Sequence, residues 1–355
     1  MENYKIKYFL AANSCEGFVS MFPDCYDVLG DWRAYIIKGG PGTGKSSFMK
    51  LFAKKFTELN EKVIFCPCSS DPDSLDAVII PNKKLVIMDG TAPHVVEPKD
   101  AGICEEILNF GQFWNSHVLR ESKEEILNIT KQHKNLHKSA SRHIKAAGQF
   151  ILDNFKISED YLNSEKALNY AQNICKKHIP PKTGKSKEWV RFLCGVTPDG
   201  VVSFTDTILK ETQNNIIISD IYGSATKIIT SYIREYALKN GYEIIAVKNP
   251  FFPSLLYDHI IIPELSFSIA REYDYHIFNS SSRRVHALRF YYEDMIKAQN
   301  NRLKLNRKFS NELLNSATEI LKKAKSVHDS LEKYYIAAMD FEKLNDFAVS
   351  FINEG

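Results

Sequence analysis

One run of residues constrains this chain more than any other: Gly39-Gly40-Pro41-Gly42-Thr43-Gly44-Lys45-Ser46-Ser47. It satisfies G-x-x-x-x-G-K-[ST] in full. The apolar run Ala34-Tyr35-Ile36-Ile37 precedes it, as a buried parallel strand should. Residues 48–56 follow with apolar side chains at helical spacing. A strand, a glycine loop and a helix in that order dictate an α/β unit. Glycines let the backbone turn its N–H groups inward around phosphates, where side chains would clash. The helix N-terminus faces the same anion. By this chemistry residues 39–47 cradle the phosphates, Lys45 reaches the β- and γ-phosphates, and Ser46 ligates Mg²⁺.

A second part is Lys84-Leu85-Val86-Ile87-Met88-Asp89-Gly90. It reads as a buried strand with a carboxylate at its carboxyl end, where ligands sit in open parallel sheets. Asp89 is then the second expected Mg²⁺ ligand, as a Walker B aspartate is. Many ATPases follow that aspartate with a glutamate that polarises water. Here Gly90-Thr91-Ala92-Pro93-His94 follows, so the sequence identifies no catalytic base. His94, with Glu97 and Asp100 nearby, is the candidate catalytic residue beside Lys45 and Asp89, although a loop histidine is usually solvated. The segment 68–76 follows another expected strand, 63–66, and carries Cys68, Asp71, Asp73 and Asp76. It reads as an Asp/Ser-rich turn, or as a place for a second substrate or a base.

The chain also repeats itself. Phe9-Leu10-Ala11 with 16–20 resembles Phe192-Leu193-Cys194 with 199–203. Further on, 77–81 resembles 259–263. Two matches in one order at nearly one offset indicate a duplication. Each half ends in a helical stretch, about 116–178 and about 284–350. The expected domains are 1–179 and 190–355, joined by a Pro/Gly/Lys-rich connector at 180–189. In the second half the offset sets Lys227 on Lys45, Ile228 on Ser46 and Arg271 on Asp89. That copy reads as a disarmed site, with Arg271, Arg283, Arg284 and Arg289 as candidate phosphoryl-stabilising arginines or surface charges.

Composition excludes several classes. The chain has 355 residues, 44% hydrophobic and 25% charged, so it is neither disordered nor fibrous. Forty-six Lys+Arg against 43 Asp+Glu give a net charge of +3, which does not indicate nucleic acid. No run is long and apolar enough to span a bilayer. The polar start, residues 1–7, has no signal-like apolar region behind it. Seven cysteines without a C-x-x-C pair suggest neither a disulfide framework nor a zinc ribbon. Cys66-Pro67-Cys68 reads as a reduced, partly buried pair, with a redox or metal role as the alternative, and the expected compartment is the cytoplasm. His133 and His137 stand one helical turn apart, a spacing that suits a metal, but no HExxH or carboxylate set accompanies them and they read as a solvated face.

On Lys38–Ser46, Cys68–Asp71, Asp73–Asp76, Val78–Pro81 and Asp89–His94, the sequence resembles the tandem P-loop ATPase-like proteins common in spore-forming Gram-positive bacteria. The resemblance covers nearly the whole chain and implies ATP binding, loosely nucleotide-kinase-like. The expected fold is therefore α/β, with two tandem P-loop NTPase-like domains of mainly parallel sheets. Each carries a helical extension, the second copy is degenerate, and the chain is pseudo-dimeric. The expected function is MgATP hydrolysis at the first site, coupled to an unknown protein partner. One alternative is a kinase for a nucleotide or another small-molecule acceptor. A second is a nucleotide-gated binding module with negligible turnover. GTP is disfavoured, because Asn82-Lys83-Lys84-Leu85 lacks the aspartate of a guanine-reading motif.

Overall fold

The computed structural model describes residues 5–92 and 94–354. Met1–Tyr4 of the polar start and Pro93 of the Asp89–His94 motif lie outside the described residues. The first half runs β1 (Ile6–Lys7), β2 (Ala11–Ser14), β3 (Gly17–Ser20), β4 (Arg33–Lys38), α1 (Lys45–Glu58), β5 (Ile64–Pro67), β6 (Leu75–Ile80), β7 (Leu85–Asp89), β8 (Glu105–Asn109), α2 (Ser116–Glu121), α3 (Lys123–Asp160) and α4 (Ser164–His178). The second half repeats the order. It runs β9 (Lys187–Arg191), β10 (Cys194–Thr197), β11 (Gly200–Ser203), α5 (Asp206–Glu211), β12 (Asn214–Ser219), α6 (Ser224–Lys239), β13 (Glu243–Lys248), β14 (Tyr257–Ile262), β15 (Phe267–Glu272), β16 (Arg283–His286), α7 (Glu293–Ala298), α8 (Asn300–Ala338) and α9 (Phe341–Glu354). Among the described residues no helix is long and apolar enough to cross a membrane.

Two six-stranded mixed sheets make this a two-domain α/β fold. In the first, five strands follow the order β5-β6-β7-β4-β8. β7 and β8 run parallel to β4, whereas β6 is antiparallel to both β5 and β7. The second sheet has the order β16-β12-β15-β14-β13-β9, again with one reversed strand, β14. Each sheet is thus mostly parallel, with one strand turned round. The reversal has a consequence for chemistry. The N-terminal end of β6 lies at the edge where its parallel neighbours end.

The expected helical stretch from about 284 begins instead with a strand. Residues 283–286 form β16 and pair in parallel with 216–219 of β12. The expected connector 180–189 ends in β9, which pairs with β13. Short, largely polar edge strands of this kind leave too little alternation to be read from sequence.

The compact units are discontinuous in sequence. The first contains the described residues of Ser20–Ala140, Thr197–Asp199 and Thr318–Gly355; the second contains those of Met1–Val19, Ser141–Val196 and Gly200–Ala317. Each half therefore sends its terminal helices to the other half's sheet. Ala167, Ala171, Ile174 and Cys175 of α4 share a buried core with Ile229 and Ile233 of α6. Leu344 and Ala348 of α9 share one with Phe48 and Phe52 of α1, flanked by Phe341, Phe347 and Phe351. The junctions are pinned in mirrored fashion. Asn163 N donates to Phe290 O (2.8 Å) and Tyr292 N to Tyr161 O (2.9 Å). Asn115 N donates to Ala338 O (2.8 Å) and Asp340 N to Phe113 O (2.8 Å). The sequence expects each extension to stay with its own half. An amphipathic stripe records that a face must be covered, but not by which surface.

The second unit buries two histidines, His259 and His276, stacked with ring centroids 4.4 Å apart. Burial, reinforced by the Arg271 charge, pushes His276 down to about 3. Burial likewise holds His259 far below its ordinary value. A depressed histidine stabilises the fold above its unfolded value of about 6.5, and that contribution is lost as pH falls through the window toward 3. Thermal unfolding between about pH 7 and about pH 4 should show stability falling on the order of 1.4 kcal/mol per pH unit for each such histidine. His276→Phe should flatten that dependence. An equally steep profile in the variant would refute the assignment.

Candidate functional site

β4 ends at Lys38, and the glycine loop 39–44 hands over directly to α1. Gly44 is its N-cap at φ 83°, a left-handed conformation that favours glycine. Thr43 is buried and donates its hydroxyl to Gly40 O (2.9 Å). Lys45 folds over its own loop, its Nζ 2.6 Å from Gly40 O and 3.5 Å from Asp89 Oδ2. Ser46 Oγ accepts from Leu75 N at the start of β6 (3.0 Å). Ser47 is exposed. Asp89 ends β7, and its Oδ1 accepts from Thr91 N (2.8 Å), so it caps a turn while Oδ2 faces Lys45. Lys45, Ser46 and Asp89, read from separate segments, are therefore brought to one sheet edge.

Gly90 explains the missing glutamate. A Cβ at this position would lie 2.3 Å from Ile36 Cγ2, so a side chain after Asp89 would have to force Ile36 aside. Lys38, to which the sequence reading gave no role of its own, fixes this strand end. Its Nζ donates to Gly90 O (2.9 Å) and Val96 O (2.6 Å) and pairs with Glu97 (2.6 Å).

The loop glycines serve a second purpose that the sequence did not reveal: the C-terminal part of α8 lies against them. A Cβ on Gly40 would stand 2.5 Å from the Tyr335 ring, and one on Gly42 would stand 2.9 Å from Glu332 O. Gly42 N donates to Glu332 Oε1 (3.1 Å). His328 Nε2, 3.5 Å from that oxygen, holds the Glu332 carboxyl below its usual range. Lys325, two turns earlier, pairs with Asp71 at 3.0 Å. Residues 325, 328, 332 and 335 share one helix face, a pattern visible in sequence but unassignable without the fold.

His94 departs from the expected solvated loop histidine. It is 7% exposed, stacked on Phe22 (centroids 4.8 Å), with Nε2 3.4 Å from Asp76 Oδ1. Burial opposes its protonation, but the Asp76 and Asp89 carboxylates outweigh burial and raise it above its ordinary value. Cys68 joins the same cluster, and burial together with the Asp76 charge pushes its thiol well up. His133 and His137 are also not on a solvated face. They are half-buried, with ring nitrogens 3.1 Å apart and His328 beside His133. Burial lowers His133 to about 4.

In the second unit the corresponding loop is closed on itself. It spans four residues, 220–223, against six, so α6 starts at Ser224 where α1 starts at Lys45. The constant offset that matched Lys227 to Lys45 fails here, because the loop is shorter. Lys227 lies a turn further along and pairs with Glu159 (3.2 Å). The loop amides are satisfied internally: Asp220 accepts from Gly223 N (3.0 Å) and Thr226 N (2.9 Å). Arg271, a candidate phosphoryl-stabilising arginine by sequence, is buried. It donates to Asp220 O (2.7 Å), Ile221 O (2.9 Å) and Asp258 (3.0 Å). Arg284 stays at the surface and pairs with Glu272 (3.2 Å).

A scan of family models, a search of curated proteins and a search of solved structures each return no match to this chain.

Proposed function

We propose that this chain is a P-loop protein that binds MgATP at residues 39–47 and hydrolyses it, the second unit carrying a disarmed copy. One observation carries the reading. Lys45, Ser46 and Asp89 converge on a loop whose Gly42 amide already holds an anionic oxygen, that of Glu332. A loop amide that takes a carboxylate oxygen is equally placed to take a phosphate oxygen.

Ser46 and Asp89 would hold Mg²⁺, which when bound neutralises phosphate charge. Lys45, released from Gly40 O and Asp89, would place its charge on the transferred phosphoryl group. The loop amides orient the phosphates, and much of the remaining acceleration is positioning. No carboxylate follows Asp89, and His94 is engaged with Asp76, so we assign no residue to water activation. Phosphate release from MgATP and MgGTP, run with and without candidate acceptors, tests the reading. Release with ATP alone supports hydrolysis. ADP formed only with an acceptor, with the phosphoryl group recovered on the acceptor and not as free phosphate, supports the kinase alternative and overturns hydrolysis.

The α8 contact favours gating as a second element of the same reading. Glu332 competes with phosphate for the Gly42 amide, and its charge repels a triphosphate. Glu332→Gln is expected to tighten MgATP binding about tenfold, in line with losing a competing charged hydrogen bond. Titration calorimetry reads it directly. Unchanged or weaker binding would mean that Glu332 does not compete for the loop.

A further inference from the structure

Cys68, Asp76 and His94 are chemistry-bearing residues that the nucleotide reading leaves unused. We propose that they form a binding site for a divalent transition metal of the Zn²⁺ or Co²⁺ class, distinct from the oxygen ligands Ser46 and Asp89. The Cys68 thiol sulfur, an Asp76 carboxylate oxygen and a His94 ring nitrogen all lie within 4.8 Å of one another. Neighbouring ligands around a tetrahedral ion, at bond lengths of about 2.0–2.3 Å, stand about 3.3–3.7 Å apart. His94 Nε2 and Asp76 Oδ1 are already 3.4 Å apart.

Three neighbouring strands supply the three donors. Cys68 follows β5, Asp76 lies at the start of the reversed β6, and His94 follows β7. The turn between the first two is fixed by Cys68 N to Ser74 O (3.0 Å) and Ser74 N to Asp71 O (2.8 Å). Phe22 stacked on His94 fixes the imidazole plane. One sulfur, one nitrogen and one oxygen form a borderline-soft donor set, which suits Zn²⁺ or Co²⁺ and not Mg²⁺ or Ca²⁺. Cys68 binds as thiolate, so its proton leaves when the metal enters. Three protein ligands leave one tetrahedral position for water or a substrate oxygen.

A second compact donor group among the described residues, Asp100, Cys104 and Glu105, does not qualify. Its Glu105 carboxylate is filled by donation from Lys99 N (2.6 Å), Asp100 N (2.7 Å) and the Tyr26 hydroxyl.

The test is Co²⁺ titration of the full-length, metal-free protein without nucleotide. One Co²⁺ per chain should bind with a thiolate-to-cobalt charge-transfer band in the near ultraviolet, and Zn²⁺ should abolish that band. Cys68→Ser should remove the band, and His94→Ala should weaken Co²⁺ binding at least about tenfold. His133→Ala with His137→Ala should leave the band intact, because those residues offer no thiolate. A wild-type protein without the band, or a band that persists in Cys68→Ser, overturns the proposal. Protection of Cys68 from alkylation by Zn²⁺, mapped on the wild-type chain, needs no variant; unchanged alkylation would overturn it equally. The readouts use no nucleotide, so failure of MgATP binding and failure of the metal site are separately visible.

Discussion

Lys45→Ala is expected to lower MgATP-dependent phosphate release at least about a hundredfold, the usual scale for removing a preorganised group that stabilises transition-state charge. The variant should fold as the wild type does. Lys45 makes its described bonds to the loop carbonyls and to Asp89 at 3.5 Å, and Asp89 keeps its bond from Thr91 N when the lysine is removed. Binding and turnover are separable in the same preparation. MgATP titration reports loss of ground-state contact, and phosphate release reports loss of the transition-state contribution. Turnover unchanged in Lys45→Ala would place hydrolysis outside residues 39–47. Tight MgATP binding by the wild type with no product over hours would instead support the nucleotide-gated module.

The largest stability effect is expected at Arg271. Its guanidinium is 5% exposed and faces Asp258, itself 2% exposed, at 3.0 Å. Asn249 and Tyr273 complete the carboxylate's surroundings, at 2.9 and 3.2 Å. Arg271→Met removes the counter-charge and leaves a buried carboxylate beside apolar strands. Such one-sided removals cost about 3–5 kcal/mol. It also frees the carbonyls of Asp220 and Ile221, which are otherwise bonded to the guanidinium. Chemical denaturation should record the loss, and Arg271→Met with Asp258→Asn should recover part of it. A loss below about 1 kcal/mol would contradict the view that Arg271 is a structural tie that closes the second loop. The same residue was an attractive phosphoryl-stabilising arginine in sequence. Sequence shows the charge but not that its donors are already committed.

The departures share one origin, which is visible at particular residues. Arg283–His286 is too short a segment to show strand alternation, and its parallel partner β12 lies far back in the chain. Asp76 read as part of an Asp/Ser-rich turn, whereas it lies in β6. Reversal of that single strand puts Asp76 beside His94. Gly40 and Gly42 were legible as glycines that a phosphate loop needs, yet they also admit Tyr335 and Glu332. A residue's type records what it tolerates, and two different neighbours can demand the same tolerance.

The sequence by itself determined the local and periodic features. These are the strand, glycine loop and helix of residues 34–56, the buried strand ending in Asp89, the duplication and the amphipathic helices. All rest on backbone preferences and apolar spacing within a few residues. Only the tertiary structure decided how those parts meet. It gave α4 to the second sheet and α9 to the first, laid Glu332 on Gly42 and gathered Cys68, Asp76 and His94 at one edge. Those outcomes depend on which apolar face covers which and on the direction of one strand. Long-range packing fixes both, and no short stretch of sequence carries a local signature of either.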